Sequence, residues 1–218
     1  MRICKVYEFR GQRKVGGSVR AEAHDELPAL PVLPETRLFM ELSVGESSVG
    51  LAEMTAVILR DLGATLQILR VADGEADSCE GCLNRLEDCI SALGVQDCMR
   101  ALTEEVSVRS GLRPEVRQAW EHARQIAEAS KALVADETSA LSERDAYLVG
   151  LFHELDELPA LLGWEPRVAG RDVVALPRAW PIPECVRLYF QERRTAALQT
   201  PLSDLVRLAH IQLGLRHD

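Results

Sequence analysis

From Ala146 to Phe152 the chain reads Ala-Tyr-Leu-Val-Gly-Leu-Phe, and only then do His153 and Glu154 interrupt it. Wound as a helix this run is apolar on every face, which predicts a helix buried on all sides whose polar end is either satisfied by partners or put to use. The spacing predicts this helix over 143–158. At about 100° per residue, His153 falls in line with Ala146, Val149 and Gly150, so its imidazole is expected on the inward side.

Two further stripes supply packing partners. Val116, Ala119, Trp120, Ala123, Ile126, Ala127, Ser130, Leu133 and Val134 recur at i, i+3, i+4 and i+7, with His122 on the flank. Near the end of the chain Leu202, Leu205, Val206, Ala209 and Leu213 form another stripe, with His210 beside Val206. Three expected helices therefore each offer one imidazole.

The remaining periodicity predicts an all-α, multi-helix bundle with helices at 35–43, 47–60, 61–72, 82–93, 96–109, 113–135, 184–195 and 201–215 besides the one at 143–158. The punctuation agrees. Gly94 and Gly111 follow stripes as C-terminal caps would, Pro114, Pro183 and Pro201 suit first-turn positions, and Ser142-x-x-Asp145 has the form of a capping box. Residues 1–26 stand apart as a basic segment carrying Arg2, Lys5, Arg10, Arg13, Lys14 and Arg20, a leader or a docking tail, before a helical domain over 27–218.

Charge and cysteine usage narrow the function classes. A net charge of −9 and a pI near 5.2 argue against nucleic acid as a partner, because a phosphate-backbone binder needs a basic face to release counterions. No apolar run approaches the ~20 residues of a membrane span, and the charges between Met1 and Lys14 are unlike a signal peptide, so a cytoplasmic protein with no membrane partner is expected. In that compartment the six cysteines read as reduced thiols. Cys79-x-x-Cys82 has half a zinc-knuckle spacing, yet Cys82 and Cys89 continue a stripe with Leu86, Ile90 and Leu93, and Cys98 continues one with Val95, Met99, Leu102 and Val106. These thiols are expected to be small core residues rather than ligands. Glu154, Asp156 and Glu157 read as a solvated helix end, and Trp180 as an aromatic capping the core before a helix.

In order along the chain, Trp120-Glu-His122-Ala, Ala146 through His153-Glu154, Ala179-Trp180-Pro-Ile-Pro183 and Leu205-Val-Arg-Leu-Ala-His210 resemble the HD-related output domain, HDOD. Upstream, Leu27-Pro-Ala-Leu-Pro31 through Leu69 resembles that family's opening helices, and Ile90-Ser-Ala-Leu-Gly94 one of its helix endings, so the resemblance runs from about Leu27 to Leu215. It implies an all-helical, HD-like bundle related to metal-dependent phosphohydrolases but serving mostly as a signalling module. Enzymatic HD proteins present His, then His-Asp, then a distant Asp around a divalent metal. The matching positions here are His122, His153 with Glu154, and His210.

Two of the four differ in type: Glu154 is one methylene longer than Asp, and His210 replaces a hard carboxylate with a nitrogen donor suited to Zn²⁺, Fe or Ni²⁺ rather than Mg²⁺. Asp156 and Glu157 stand where Gly-Lys often follows the His-Asp pair, which removes a phosphate-facing cation, and Ala72-Asp-Gly-Glu75 replaces the family's Asn-Ser. The expectation is a non-enzymatic regulatory module that needs no cofactor, whose His122, His153, Glu154 and His210 are the candidate ligands for a divalent metal, and whose partner is a signalling protein; self-association into a homo-oligomer is left open. The alternative is a divergent HD-type phosphohydrolase acting on a nucleotide or cyclic dinucleotide, and a third reading is a scaffold docked through the basic N-terminal segment.

Overall fold

The computed structural model describes residues 30–43, 49–74, 86–103, 113–135, 141–163, 180–194 and 201–215. The basic segment 1–26, Gly111 and the cysteines Cys4, Cys79 and Cys82 lie outside them. Among the described residues the fold is all helix: α1 (Pro34–Ser43), α2 (Leu51–Leu59), α3 (Leu62–Gly74), α4 (Leu86–Thr103), α5 (Pro114–Ala135), α6 (Glu143–Leu151), α7 (Leu158–Leu162), α8 (Glu184–Arg194) and α9 (Pro201–Gln212). The most extensive contact is between α5 and α6, and α9 packs across both. Every residue of α6 from Ala146 to Leu151 is buried, as its all-round apolar sequence requires.

Local chemistry sets the boundaries. Gly94, at φ 75°, breaks α4 into the two runs expected from the sequence, a backbone conformation that glycine adopts without a Cβ penalty. Pro34, Pro114 and Pro201 open α1, α5 and α9 at the first helical position, where no N–H is needed, while Pro183 sits one residue ahead of α8 and its carbonyl starts that helix. Ser142 caps α6 by accepting the Asp145 N–H, and its hydroxyl donates to the Asp145 carboxylate rather than completing a full capping box. At the far end of α9, the Gly214 N–H reaches Ile211 O and the Leu215 N–H reaches His210 O, the paired bonds of a Schellman ending. That ending stops the last stripe at Ala209 and leaves Leu213, expected in the core, 40% exposed.

One buried carboxylate ties three segments together. Asp61 is fully buried as the cap of α3, where its Oδ1 accepts the Ala64 N–H and the Trp120 indole N–H and its Oδ2 accepts the Leu33 N–H. The same residue thus anchors the proline-rich entry, α3 and the centre of α5. Beside it, a Cβ on Gly63 would come within 2.1 Å of the Pro31 carbonyl oxygen, so the entry segment can cross α3 only over a glycine. Cys89 and Cys98 lie buried in the core on the stripes predicted for them, and Trp180 and Ile182 close the core ahead of α8.

Candidate metal centre

The α5–α6 crossing is close because Gly150 lacks a side chain: a Cβ there would lie 2.7 Å from Ala127 Cα and 2.8 Å from the Ile126 carbonyl oxygen. That approach brings the C-terminal end of α6 against the α5 turn that carries His122.

The expected helix over 143–158 stops at Leu151, and residues 152–157 form successive turns before α7. His153 therefore lies just past the helix rather than on it, and the expectation of three helices each carrying an imidazole is corrected for this residue. The cause is local. In a continuing helix the Gly150 carbonyl would accept the Glu154 N–H; here the His153 ring reaches it instead, with Nδ1 2.7 Å from Gly150 O. The bonds that follow are one residue shorter than α-helical, Leu155 N–H to Phe152 O and Glu157 N–H to Glu154 O.

A carbonyl can only accept, so the His153 Nδ1 carries the proton and Nε2 is the nitrogen turned toward the interior. His210, on α9, repeats the device, with Nδ1 2.8 Å from Val206 O. Both rings are 2% exposed. His122, half-buried on α5, completes a triangle in which each pair of ring centres lies 5.1–5.2 Å apart. Glu154 enters the middle: its Oε1 is 3.3 Å from His122 Nε2 and 3.4 Å from His153 Nε2. Burial alone would push the Glu154 carboxyl up, but the two imidazoles beside it outweigh that and hold it well below the ordinary carboxylate value.

The donor atoms of all four residues lie within 4.8 Å of one another, so the cluster could hold a metal ion. Neighbouring ligands of a tetrahedral zinc ion with bonds of ~2.0–2.1 Å stand ~3.3 Å apart, and the two separations around Glu154 Oε1 already match that spacing. His153 Nε2 is buried without a hydrogen-bond partner, 3.4 Å from Glu154 Oε1. Imidazole rings fixed through Nδ1–H to main-chain carbonyls, with Nε2 presented, are the usual preparation of metal-ligating histidines.

The solvated-helix-end reading of the acidic cluster is corrected for Glu154. Glu154 faces the imidazoles, while Asp156 and Glu157 are held by Arg193 of α8, whose Nη1 lies 3.3 Å from Asp156 Oδ1 and whose Nη2 lies 3.8 Å from Glu157 Oε1. Nη1 also donates to the His153 carbonyl at 3.2 Å. The sequence reading missed Arg193 because no spacing connects it to a turn 37 residues earlier. It missed Asp61 too, although an Asp directly ahead of an apolar stripe is a recognisable cap signal.

The HDOD domain model matches residues 30–171. The chain belongs to the HDOD family. Among solved structures with the same fold, the MmoQ response regulator of Methylococcus capsulatus str. Bath is 17% identical with a TM-score of 0.53, covering 88% of this chain and 73% of that one. A fragment of the same regulator is 19% identical with a TM-score of 0.54, covering 88% and 94%. A virulence factor from Campylobacter jejuni subsp. jejuni is 16% identical with a TM-score of 0.54, covering 89% and 80%. No curated protein sequence matches the chain. No helix among the described residues is long and apolar enough to cross a membrane.

Proposed function

We propose that this HDOD protein is a regulatory module that acts through protein contacts, and that His122, His153, Glu154 and His210 form a closed metal-binding centre rather than a hydrolytic site. The observation that carries this reading is the inward convergence of the four donors. The ring centres stand 5.1–5.2 Å apart and Glu154 Oε1 lies 3.3 and 3.4 Å from two imidazole nitrogens, a spacing that one ion could bridge. With Glu154 and three neutral imidazoles, the centre carries one negative charge, fewer than HD enzymes bring to hold a hard cation, and it suits zinc, iron or nickel. A divalent ion bound there would supply a cross-link between α5, the turn after α6, and α9.

The chain's own residues do the rest. Gly150 and Val206 carbonyls fix the rings of His153 and His210, and His122 and Glu154 close the half-exposed side. A response-regulator likeness at the level of fold, in MmoQ, is consistent with a signalling role. So is surface on α9 and just past its end, where Leu208, Ile211 and Leu215 are 40%, 59% and 37% exposed and available to a protein partner or to a second copy.

The test is elemental analysis of purified protein together with hydrolysis assays on nucleotides and cyclic dinucleotides in the presence of Mn²⁺, Fe²⁺ or Ni²⁺. The expected result is about one equivalent of a transition metal, lost in His153→Ala, with no turnover above background. Metal-dependent turnover abolished by His153→Ala would overturn the proposal in favour of a divergent phosphohydrolase.

A further inference from the structure

We infer that Arg193 is a positioning residue of this centre, reaching from α8 to fix the turn that presents His153 and Glu154; the inference rests on the metal-binding reading above. The turn has a problem of its own making. Once the His153 ring takes the Gly150 carbonyl, the helix ends, and the His153 carbonyl is left without a helical partner. Arg193 Nη1 supplies the missing donor at 3.2 Å.

The same nitrogen lies 3.3 Å from Asp156 Oδ1, and Nη2 lies 3.8 Å from Glu157 Oε1. One planar guanidinium thus holds the chain on both sides of Glu154, at residue 153 and at residues 156 and 157. Arginine suits this because its donors form a rigid fork; a lysine offers a single flexible point charge. The acidic pair that follows the His-Glu motif acquires a role here: Asp156 and Glu157 are the anchor points for this clamp.

Surface ion pairs alone contribute little, and Arg193 is half-exposed, so its effect belongs to the bond with the main chain and to orientation rather than to global stability. Groups that orient metal ligands without touching the metal typically alter affinity 10–100-fold. The predicted signature is therefore local: the turn loosens while the bundle stays folded.

The experiment compares wild type, Arg193→Met and Arg193→Lys in two measurements. In metal-free protein, hydrogen exchange is followed at the Leu155 and Glu157 amides, which donate within the turn, and at amides in the middle of α9 as an internal reference. Arg193→Met is expected to speed exchange at Leu155 and Glu157 about tenfold or more with α9 unchanged, and Arg193→Lys to fall between. Unchanged turn exchange, or an equal rise in α9, overturns the inference. The second measurement is Zn²⁺ affinity by competition with a chromophoric chelator, where Arg193→Met should weaken binding roughly 10–100-fold and Arg193→Lys less. Equal affinities in wild type and Arg193→Met would also overturn it. If wild type binds no Zn²⁺ at all, the metal reading fails, and the exchange measurement still decides the role of Arg193.

Discussion

Gly150→Ala separates two opposing physical effects by sign. On helix propensity alone the substitution should stabilise, because glycine in a helix interior costs roughly 0.5–1 kcal/mol relative to alanine. The structure predicts the reverse. The new Cβ would stand 2.7 Å from Ala127 Cα, 2.8 Å from Ile126 O and 2.9 Å from Ala127 N. Carbon–carbon contacts rest at about 3.5–4.0 Å, so α6 must retreat from α5 by ~1 Å, and main-chain atoms cannot move aside as a side chain would. Overpacking of this kind costs about 1–3 kcal/mol, and with backbone on every contact the upper end applies; less the propensity gain, the net loss is about 2 kcal/mol. The same retreat draws the Gly150 carbonyl and the His153 ring bonded to it away from His122. Urea denaturation measures the first consequence and Zn²⁺ competition the second, with metal affinity expected to fall more steeply than stability. An alanine variant as stable as wild type, or more so, would show that the α5–α6 contact is looser than described and that Gly150 does not set the position of His153.

Trp120→Ala should cost about 3–5 kcal/mol in urea denaturation, since the indole is 1% exposed at the centre of α5, and Trp120→Phe about 1–3 kcal/mol, since it keeps most of the volume but removes one donor from buried Asp61; a loss below about 1 kcal/mol for alanine would contradict the packing. Burial pushes the Asp61 carboxyl up from its usual 3.8 despite the N–H groups donated to it. A group raised in this way contributes its full stability below the unfolded value and loses it as pH rises through the folded one, so the advantage of wild type over Asp61→Asn should shrink as pH rises above the usual carboxylate value; an advantage that grows with pH would mean the donors outweigh burial. Burial likewise pushes the Cys89 thiol up to about 11 and Cys98 to about 12, so site-resolved mass spectrometry after iodoacetamide treatment near pH 8 should find both unmodified in the native state and labelled in urea.

Most of the bundle was legible because burial writes a period into sequence. Val116, Trp120, Ala123, Ile126, Ala127 and Ser130 are buried where the α5 stripe places them, and Gly94 breaks α4 where glycine follows a stripe. What periodicity could not show was the end of α6. Apolar residues continue through Phe152 and Leu155, both fully buried, so the pattern reads as helix while the backbone has already turned. That break depends on one side-chain bond, His153 to Gly150 O, which leaves no trace in hydropathy. Pro159 did carry a signal, since a proline suits the first turn of a helix, and it is the second residue of α7. At the candidate centre, the resemblance to HDOD proteins named all four candidate ligands, whose donor atoms lie within 4.8 Å of one another, but Arg193 became visible only when α8 was placed beside the turn.

Two buried polar groups in this core have opposite fates, and the contrast carries the metal-binding reading further than ligand type does. Asp61 is an acceptor surrounded by donors, with Leu33, Ala64 and the Trp120 indole each giving it an N–H, so its burial is complete as it stands. His153 is arranged the other way. Its Nδ1 proton is spent on Gly150 O, and its Nε2 then faces Glu154 Oε1 at 3.4 Å, a contact that is favourable only with a proton or a metal ion between the two atoms. His122 Nε2 approaches the same oxygen at 3.3 Å. A proton shared with one imidazole relieves one of these contacts at a time; a divalent cation relieves all of them together and accepts His210 as well. On the proposed reading, a divalent cation is the group that would satisfy the carboxylate and the three imidazoles together.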